Sequence, residues 1–387
     1  MMDITTARRK SALAGLTVLL ALGLAALACS PSSGPAVTSA PLTTKSPNST
    51  ETSAATDNGT PGAEPATTES ATAGGGSTAG EINASNAKNL VELQTITVSS
   101  QPVLAGAVSG KDHTVATLGV DRTVRTWDGD TGKKLKEMPK HADLGFGLAF
   151  SKDGSILASG AGYNVTLWDP STGKKEKSLT PNGQVYRMAF SPDGKTLAVA
   201  GEGRSKLDLI DVAGGRVEGQ VASPQGFVLW SVAFSPDGKM LAAADNQGNL
   251  TVFEADSKSQ LGSASAKGAA WDVEFSPDSK YVTTCNATSD IGGISTWDTS
   301  KFQPYDKLTM PEVHPKGCLD GVYDHSGDVF FSVGADDVLN AWEVSSGNLL
   351  FSKTFGSAPW TVSISGDGQI LAVTLDDGTL HILGLKS

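Results

Sequence analysis

From residue 105 onward, short apolar runs recur along the chain in one repeating order. The first run of each cycle ends in a Ser-x-Asp-Gly turn or a close variant. The copies are GLAFSKDG (147–154), RMAFSPDG (187–194), SVAFSPDG (231–238), DVEFSPDS (272–279), GVYDHSG (321–327) and VSISGDG (362–368), with AGAVSGK (105–111) as a degenerate first one. Ser-Pro-Asp-Gly suits a type I turn, because Pro presets φ at the second position and Gly fits the fourth. A second apolar run follows each turn, for example ILASG, TLAVAG or VFFSVG. Two such runs around a tight turn predict a β-hairpin. A third run closes each cycle: VRTWD, VTLWD, LDLID, LTVFE, ISTWD, LNAWE and LHILG. Its marker positions, Trp127, Trp168, Ile210, Phe253, Trp297, Trp342 and Leu383, lie 41 to 45 residues apart. A polar turn and a fourth short run follow six of them, as in GKKLKEM, RVEGQVA and GNLLFSK.

The pattern therefore predicts an all-β domain of seven units, each of four antiparallel strands. The seventh cycle stops after its third run, with only Gly384-Leu385-Lys386-Ser387 behind it. An unpaired apolar stretch, NLVELQTITV (89–98), precedes the first cycle. This stretch is expected to complete the seventh unit, join the chain ends and remove an open sheet edge. With its Trp-Asp third strands, residues 88–387 resemble a WD40-repeat seven-bladed β-propeller.

That resemblance implies a buried hydrogen-bond network of His, Ser or Thr, Asp and Trp. The sixth blade has all four, at His314, Ser332, Asp336 and Trp342. The first keeps Thr117, Asp121 and Trp127, and the second keeps His141 and Trp168 with Gly162 at the Asp position. These roles are structural. The resemblance also marks the residue four before the Phe of each first strand, which in WD40 proteins commonly lies at the top mouth of the central channel. Here the seven are Leu104, Phe146, Tyr186, Trp230, Trp271, Leu319 and Trp360. Five are aromatic in a chain with 6% aromatic residues, and all three Trp outside the third strands fall here. Two readings compete: a docking ring that binds a peptide or sugar through flat rings, or core wedges between blades.

The first 87 residues differ in kind. Arg8-Arg9-Lys10 precedes an uncharged apolar stretch, Ser11 to Ala28, that ends at Ala26-Leu27-Ala28-Cys29. A basic flank, an apolar stretch and small residues before a cut site mark an export signal. The Cys resembles that of a bacterial lipobox, although Ala26 stands where that family usually has Leu. The expectation is a signal peptide at 1–28 and a lipidated Cys29 that anchors the chain to the outer face of a bacterial membrane. An uncleaved membrane helix and simple secretion are the alternatives. Residues 29–87 are almost all Ser, Thr, Ala, Pro and Gly, with no aromatic residue, and are expected to be a disordered tether.

Net charge is -11, from 30 Lys+Arg against 41 Asp+Glu, which argues against a nucleic-acid partner. The five His form no recognised catalytic motif, and no Gly-x-Ser-x-Gly elbow or P-loop occurs. Asp128-Gly129-Asp130-Thr131-Gly132 faintly resembles a calcium loop but lacks the later ligands. Asp336-Asp337 and Asp376-Asp377 fall in matching loops, as a cation site or as solvated loop charge. Cys285 and Cys318 are placed on neighbouring blades, either bridged or as two buried thiols. No cofactor or metal is expected. The reading is a monomeric, non-catalytic interaction module that binds an unidentified protein or peptide through its top face. A small-ligand or glycan-binding propeller is the alternative, and a propeller-based hydrolase or lyase a third.

Overall fold

The structure, a computed structural model, describes residues 80–202, 205–223, 226–288 and 292–386. The signal stretch, Cys29 and most of the expected tether lie outside these residues. Seven four-stranded antiparallel sheets make up the described chain. In six of them the four strands are consecutive, innermost first. The innermost strands are Val103–Val108, Gly145–Phe150, Gln184–Phe190, Leu229–Phe234, Ala269–Phe275, Cys318–Tyr323 and Pro359–Ile364. Each touches the next, and the seventh touches the first, so the blades close a ring.

Closure uses the N-terminal strand Val91–Thr97, which pairs antiparallel with the last strand, Thr379–Gly384, from Val91 opposite Gly384 to Thr97 opposite Thr379. Glu92 reinforces the seam by accepting from His381 Nδ1 at 3.0 Å and from Lys353 Nζ at 2.8 Å. The His381 hydrogen bond and the Lys353 charge hold the Glu92 carboxyl down at about 2. Packing also reaches upstream of residue 88. Ile82 and Ala87 are fully buried within the same apolar cluster as Leu371 and Leu383. Ile82 N–H also donates to Gly368 O. One Ile in a polar run carries too weak a periodic signal to mark a packed segment.

The core lies between the faces of neighbouring blades. All seven marker residues of the third strands are buried, at 9% exposure or less. The polar network is present where its residues are complete. His314 bridges Asp336 Oδ1 (2.9 Å) and Ser332 Oγ (2.8 Å), and Trp342 Nε1 donates to Ser332 Oγ (2.9 Å). Blade two keeps the shorter version, with His141 and Trp168 both bonded to Ser159. In blade one Trp127 donates to Thr117, while Asp121 pairs with Arg125 instead.

The Ser-x-Asp-Gly turns explain their own sequence. The serine hydroxyl of Ser191 or Ser235 donates to the turn Asp and accepts from the backbone N–H that opens the next strand. The turn's fourth residue takes positive φ, from Gly154 at 68° to Gly327 at 76°, and in the fifth blade this falls on Ser279 at 61°. A left-handed conformation costs a non-glycine residue about 1 kcal/mol. Ser279→Gly relieves this cost but removes the hydroxyl that accepts from Asp237 N–H at 3.3 Å and loosens the unfolded chain. The denaturation midpoint is therefore expected to move by no more than about 0.5 kcal/mol of stability.

Candidate functional site: the collar of the central channel

Every innermost strand contains one β-bulge near its start. Val103 opposes Gly119 and Ala105 opposes Leu118, which leaves Leu104 as the extra residue. The same shift isolates Phe146, Tyr186, Trp230, Trp271, Leu319 and Trp360. The seven positions singled out in the sequence are thus the seven bulged residues. A bulge re-aims one side chain while the strand on either side stays paired. Here it turns all seven into one pocket at the end of the channel where the innermost strands begin, the top face.

The collar is more closed than an open mouth. Leu104, Leu319, Trp230 and Trp360 are at most 8% exposed, while Phe146, Tyr186 and Trp271 are half-buried. Leu104, Leu319 and Trp360 form one apolar cluster with Phe146 and Trp271, and these residues come from five different blades. Trp230 and Trp271 pack at 4.5 Å between ring centroids, and Phe146 meets Tyr186 edge-on at 6.3 Å. The side chains therefore pack on one another around the axis and leave a shallow cavity of about 60 Å³. That is room for about two waters, far below the roughly 300 Å³ or more of a small-molecule pocket.

The floor is a residue that the sequence analysis missed. Arg187 lines the pocket, and its Nη2 lies 3.2 Å from Asp320 Oδ1. Arg187 belongs to the third blade and Asp320 to the sixth, so the pair spans the channel. Asp320 Oδ2 also accepts from the backbone N–H of Val362, and Asp272 accepts from Ser231 Oγ and from Gly321 N–H. Burial raises the Asp272 and Asp320 carboxyls, and Arg187 works in the opposite direction. Glu274, one turn of the strand deeper, is raised well above its usual range by burial and by those two acids. The signal was legible. Arg187, Asp272 and Asp320 all stand one residue after a collar position, where the other blades have Ala105, Gly147, Ser231 and Thr361.

Two collar rings give their polar hydrogen to a carboxylate. Trp360 Nε1 donates to Asp376 Oδ1 at 3.2 Å, and Tyr186 Oη donates to Glu202 Oε2 at 3.1 Å. Burial raises the Asp376 carboxyl, Trp360 opposes the shift, and the nearby charges of Asp377 and Asp337 add to it. At Asp337 burial also raises the carboxyl, and the nearby Lys316 opposes that rise. Among the described residues, no group of three or more His, Cys, Asp or Glu is arranged to hold a metal ion. Asp128 spends its carboxylate on the backbone N–H groups of Asp130 and Thr131, which makes that segment a polar turn. Cys285 and Cys318 are buried, unbridged thiols, and burial raises both.

Comparison with known proteins gives two family matches. The family model for the WD domain, G-beta repeat, matches residues 132–169, and that for eukaryotic translation initiation factor eIF2A matches residues 161–308. No curated protein matches the chain. The repeat match falls on the first two blades of the ring, and all seven blades share its strand order. With its seven four-stranded blades closed through the N-terminal strand, the chain is a seven-bladed β-propeller that carries a WD40-repeat match in its first two blades.

Proposed function

We propose that this propeller is a non-catalytic interaction module that docks a protein partner on the collar face. The observation that carries this reading is the set of seven bulges, which turn five aromatic side chains toward one mouth. A strand that only needed to pack against its neighbours would gain nothing from giving up a ladder position in every blade. Aromatic residues that keep partial exposure at such a mouth are the usual anchors of protein interfaces. The channel below is crossed by Arg187 and Asp320, which favours docking onto the face over passage through it.

The same proposal places the module outside the cytoplasm, held by a lipid on Cys29 and spaced from the membrane by the Ser/Thr/Pro-rich segment. The likeness to a translation initiation factor covers residues 161–308 and leaves out the first, sixth and seventh blades. The net charge of -11 also gives no basic footprint for a nucleic-acid partner. The small-ligand alternative rests on a different feature. A cleft of about 390 Å³ opens on the opposite face, between the turns at Asp193 and Asp237.

The test is cross-linking capture from the native membrane with three forms of the chain: wild type, Trp271→Ala and Lys258→Ala in the opposite cleft. The expected result is a partner retained by wild type and Lys258→Ala and lost with Trp271→Ala. Cys29→Ser should move the chain from the membrane to the soluble fraction. A partner lost only with Lys258→Ala would overturn the collar reading.

A further inference from the structure

We propose that the group entering the collar is a carboxylate side chain, a glutamate or aspartate in an otherwise uncharged segment of the docked partner, and that Arg187 receives it. This deepens the docking reading above and rests on it.

The wall of the cavity selects the charge. Eight residues line it: the seven collar residues, none of them charged, and Arg187. Arg187 keeps 27% of its side chain open, although it lies one residue beyond the collar. A guanidinium carries five N–H donors in a flat fork. Among the described residues its one ion-pair partner is Asp320, reached through Nη2 at 3.2 Å. The remaining nitrogens are not among the buried polar atoms left without a partner, so they keep access to open space, and the cavity supplies it. Arg187 therefore presents spare donors at the bottom of an apolar ring.

Its charge is also only partly matched. Burial pushes the Asp272, Asp320 and Glu274 carboxyls toward their neutral forms, and none of the three lines the cavity. Glu202 and Asp376 accept the polar hydrogens of Tyr186 and Trp360 and do not line it either. A lysine or arginine entering the collar would meet Arg187 as a like charge. An apolar group would cover its N–H groups and leave them with neither water nor partner. A carboxylate accepts from the fork, and the rings around it exclude water and strengthen the pair.

Size decides where the carboxylate comes from. A cavity of about 60 Å³ takes a carboxylate but no main chain. A chain terminus brings its own Cα, side chain and amide directly behind the carboxylate. A glutamate places two methylenes there, slim enough to pass the half-buried rings of Phe146, Tyr186 and Trp271 while its backbone lies across the face. The net charge of -11 repels a strongly acidic partner at long range. Recognition is therefore a short-range event, and the segment carries a single acid rather than a run of them.

The experiment uses the tryptophans of the collar as reporters. The full chain in detergent is titrated with N-acetyl pentapeptide amides Ser-Ala-X-Ala-Ser, with X as Glu, Gln or Lys, while tryptophan emission is followed. A fourth peptide has X as Gln and a free C-terminal carboxylate. The Glu peptide should bind about tenfold tighter than its neutral isostere Gln, with Lys weakest. Arg187→Gln should bring the Glu-to-Gln ratio to about one. Arg187→Lys, which keeps a charge in the channel and so guards against loss of the fold, should narrow that ratio by about threefold in a chain that still melts cooperatively. Glu and Gln peptides that bind equally to the wild type, or a Lys peptide that binds tightest, would overturn the acidic occupant. A free C-terminus that binds as tightly as the Glu peptide would overturn the side-chain source. Silence with every peptide would also overturn the acidic occupant, while the docking reading stands or falls separately on capture by wild type and Trp271→Ala.

Discussion

A chain that begins at Gln101 should fail to form a stable monomeric propeller. Removing residues 80–100 strips the outer strand from the seventh blade and leaves Thr379–Gly384 as an open edge. Leu380, Ile382 and Leu383 on that edge are fully buried in the intact chain. Ile82, Leu90, Ile96 and Val98, all at most 8% exposed, leave with the deleted segment. At about 1.5–3 kcal/mol for each buried aliphatic side chain, the lost burial is roughly 6–12 kcal/mol. Even after a discount for a compact unfolded state, that rivals the total stability of a typical domain, about 5–15 kcal/mol. An exposed apolar edge also pairs with other chains. The expected result is aggregation on size-exclusion chromatography and loss of a cooperative melt. A synthetic peptide spanning residues 80–100 should restore monomer and melt when added at refolding. A truncated chain that stays monomeric with an unchanged midpoint would contradict closure by this strand.

The collar tryptophans should separate into two kinds on truncation. Trp360 is 8% exposed, packs with Leu104 and Leu319, and donates to Asp376. Trp360→Ala should cost about 3–5 kcal/mol from the lost side chain and cavity, and it leaves a buried carboxylate without its donor. Trp271 is half-buried and has Trp230 on one side, so Trp271→Ala should cost only roughly 2 kcal/mol. Partner affinity should respond in the opposite order of cleanliness. Trp271→Ala should lower it by about 2 kcal/mol, the range of an interface hot spot, in a protein that still melts cooperatively. Thermal melts of both variants, beside partner titrations, read the two effects separately. Equal melting losses of about 4 kcal/mol for both would mean that the collar is core throughout, and the docking role would fall.

The two readings of this ring first arose as alternatives, docking mouth or core wedge, and the structure shows why neither describes it alone. Strand alternation cannot say which way a residue at a strand end points. The bulge decides that, and a bulge is a relation between two paired strands. Trp360 became core packing because it meets Leu104 and Leu319, side chains from blades far apart in sequence that converge on one axis.

Much was determined along the chain itself. Hydrophobic period, turn residues and the third-strand aromatic markers each recur within one cycle, so the number of blades, their four-stranded form and the closing strand were legible from local pattern. The His314, Ser332, Asp336 and Trp342 network was legible for the same reason, since all four lie within one cycle. The tertiary structure decided what depends on closing the ring. Arg187 and Asp320 stand three blades apart, and only a ring of seven brings them to 3.2 Å across the channel. Ile82 became core only because the closing strand carries it under the turn at Gly368. The repeat register marks Arg187 and Asp320 as the positions after the collar, but it does not carry the contacts between them. They follow from the geometry of closure, which sets the distance between residues that no local pattern relates.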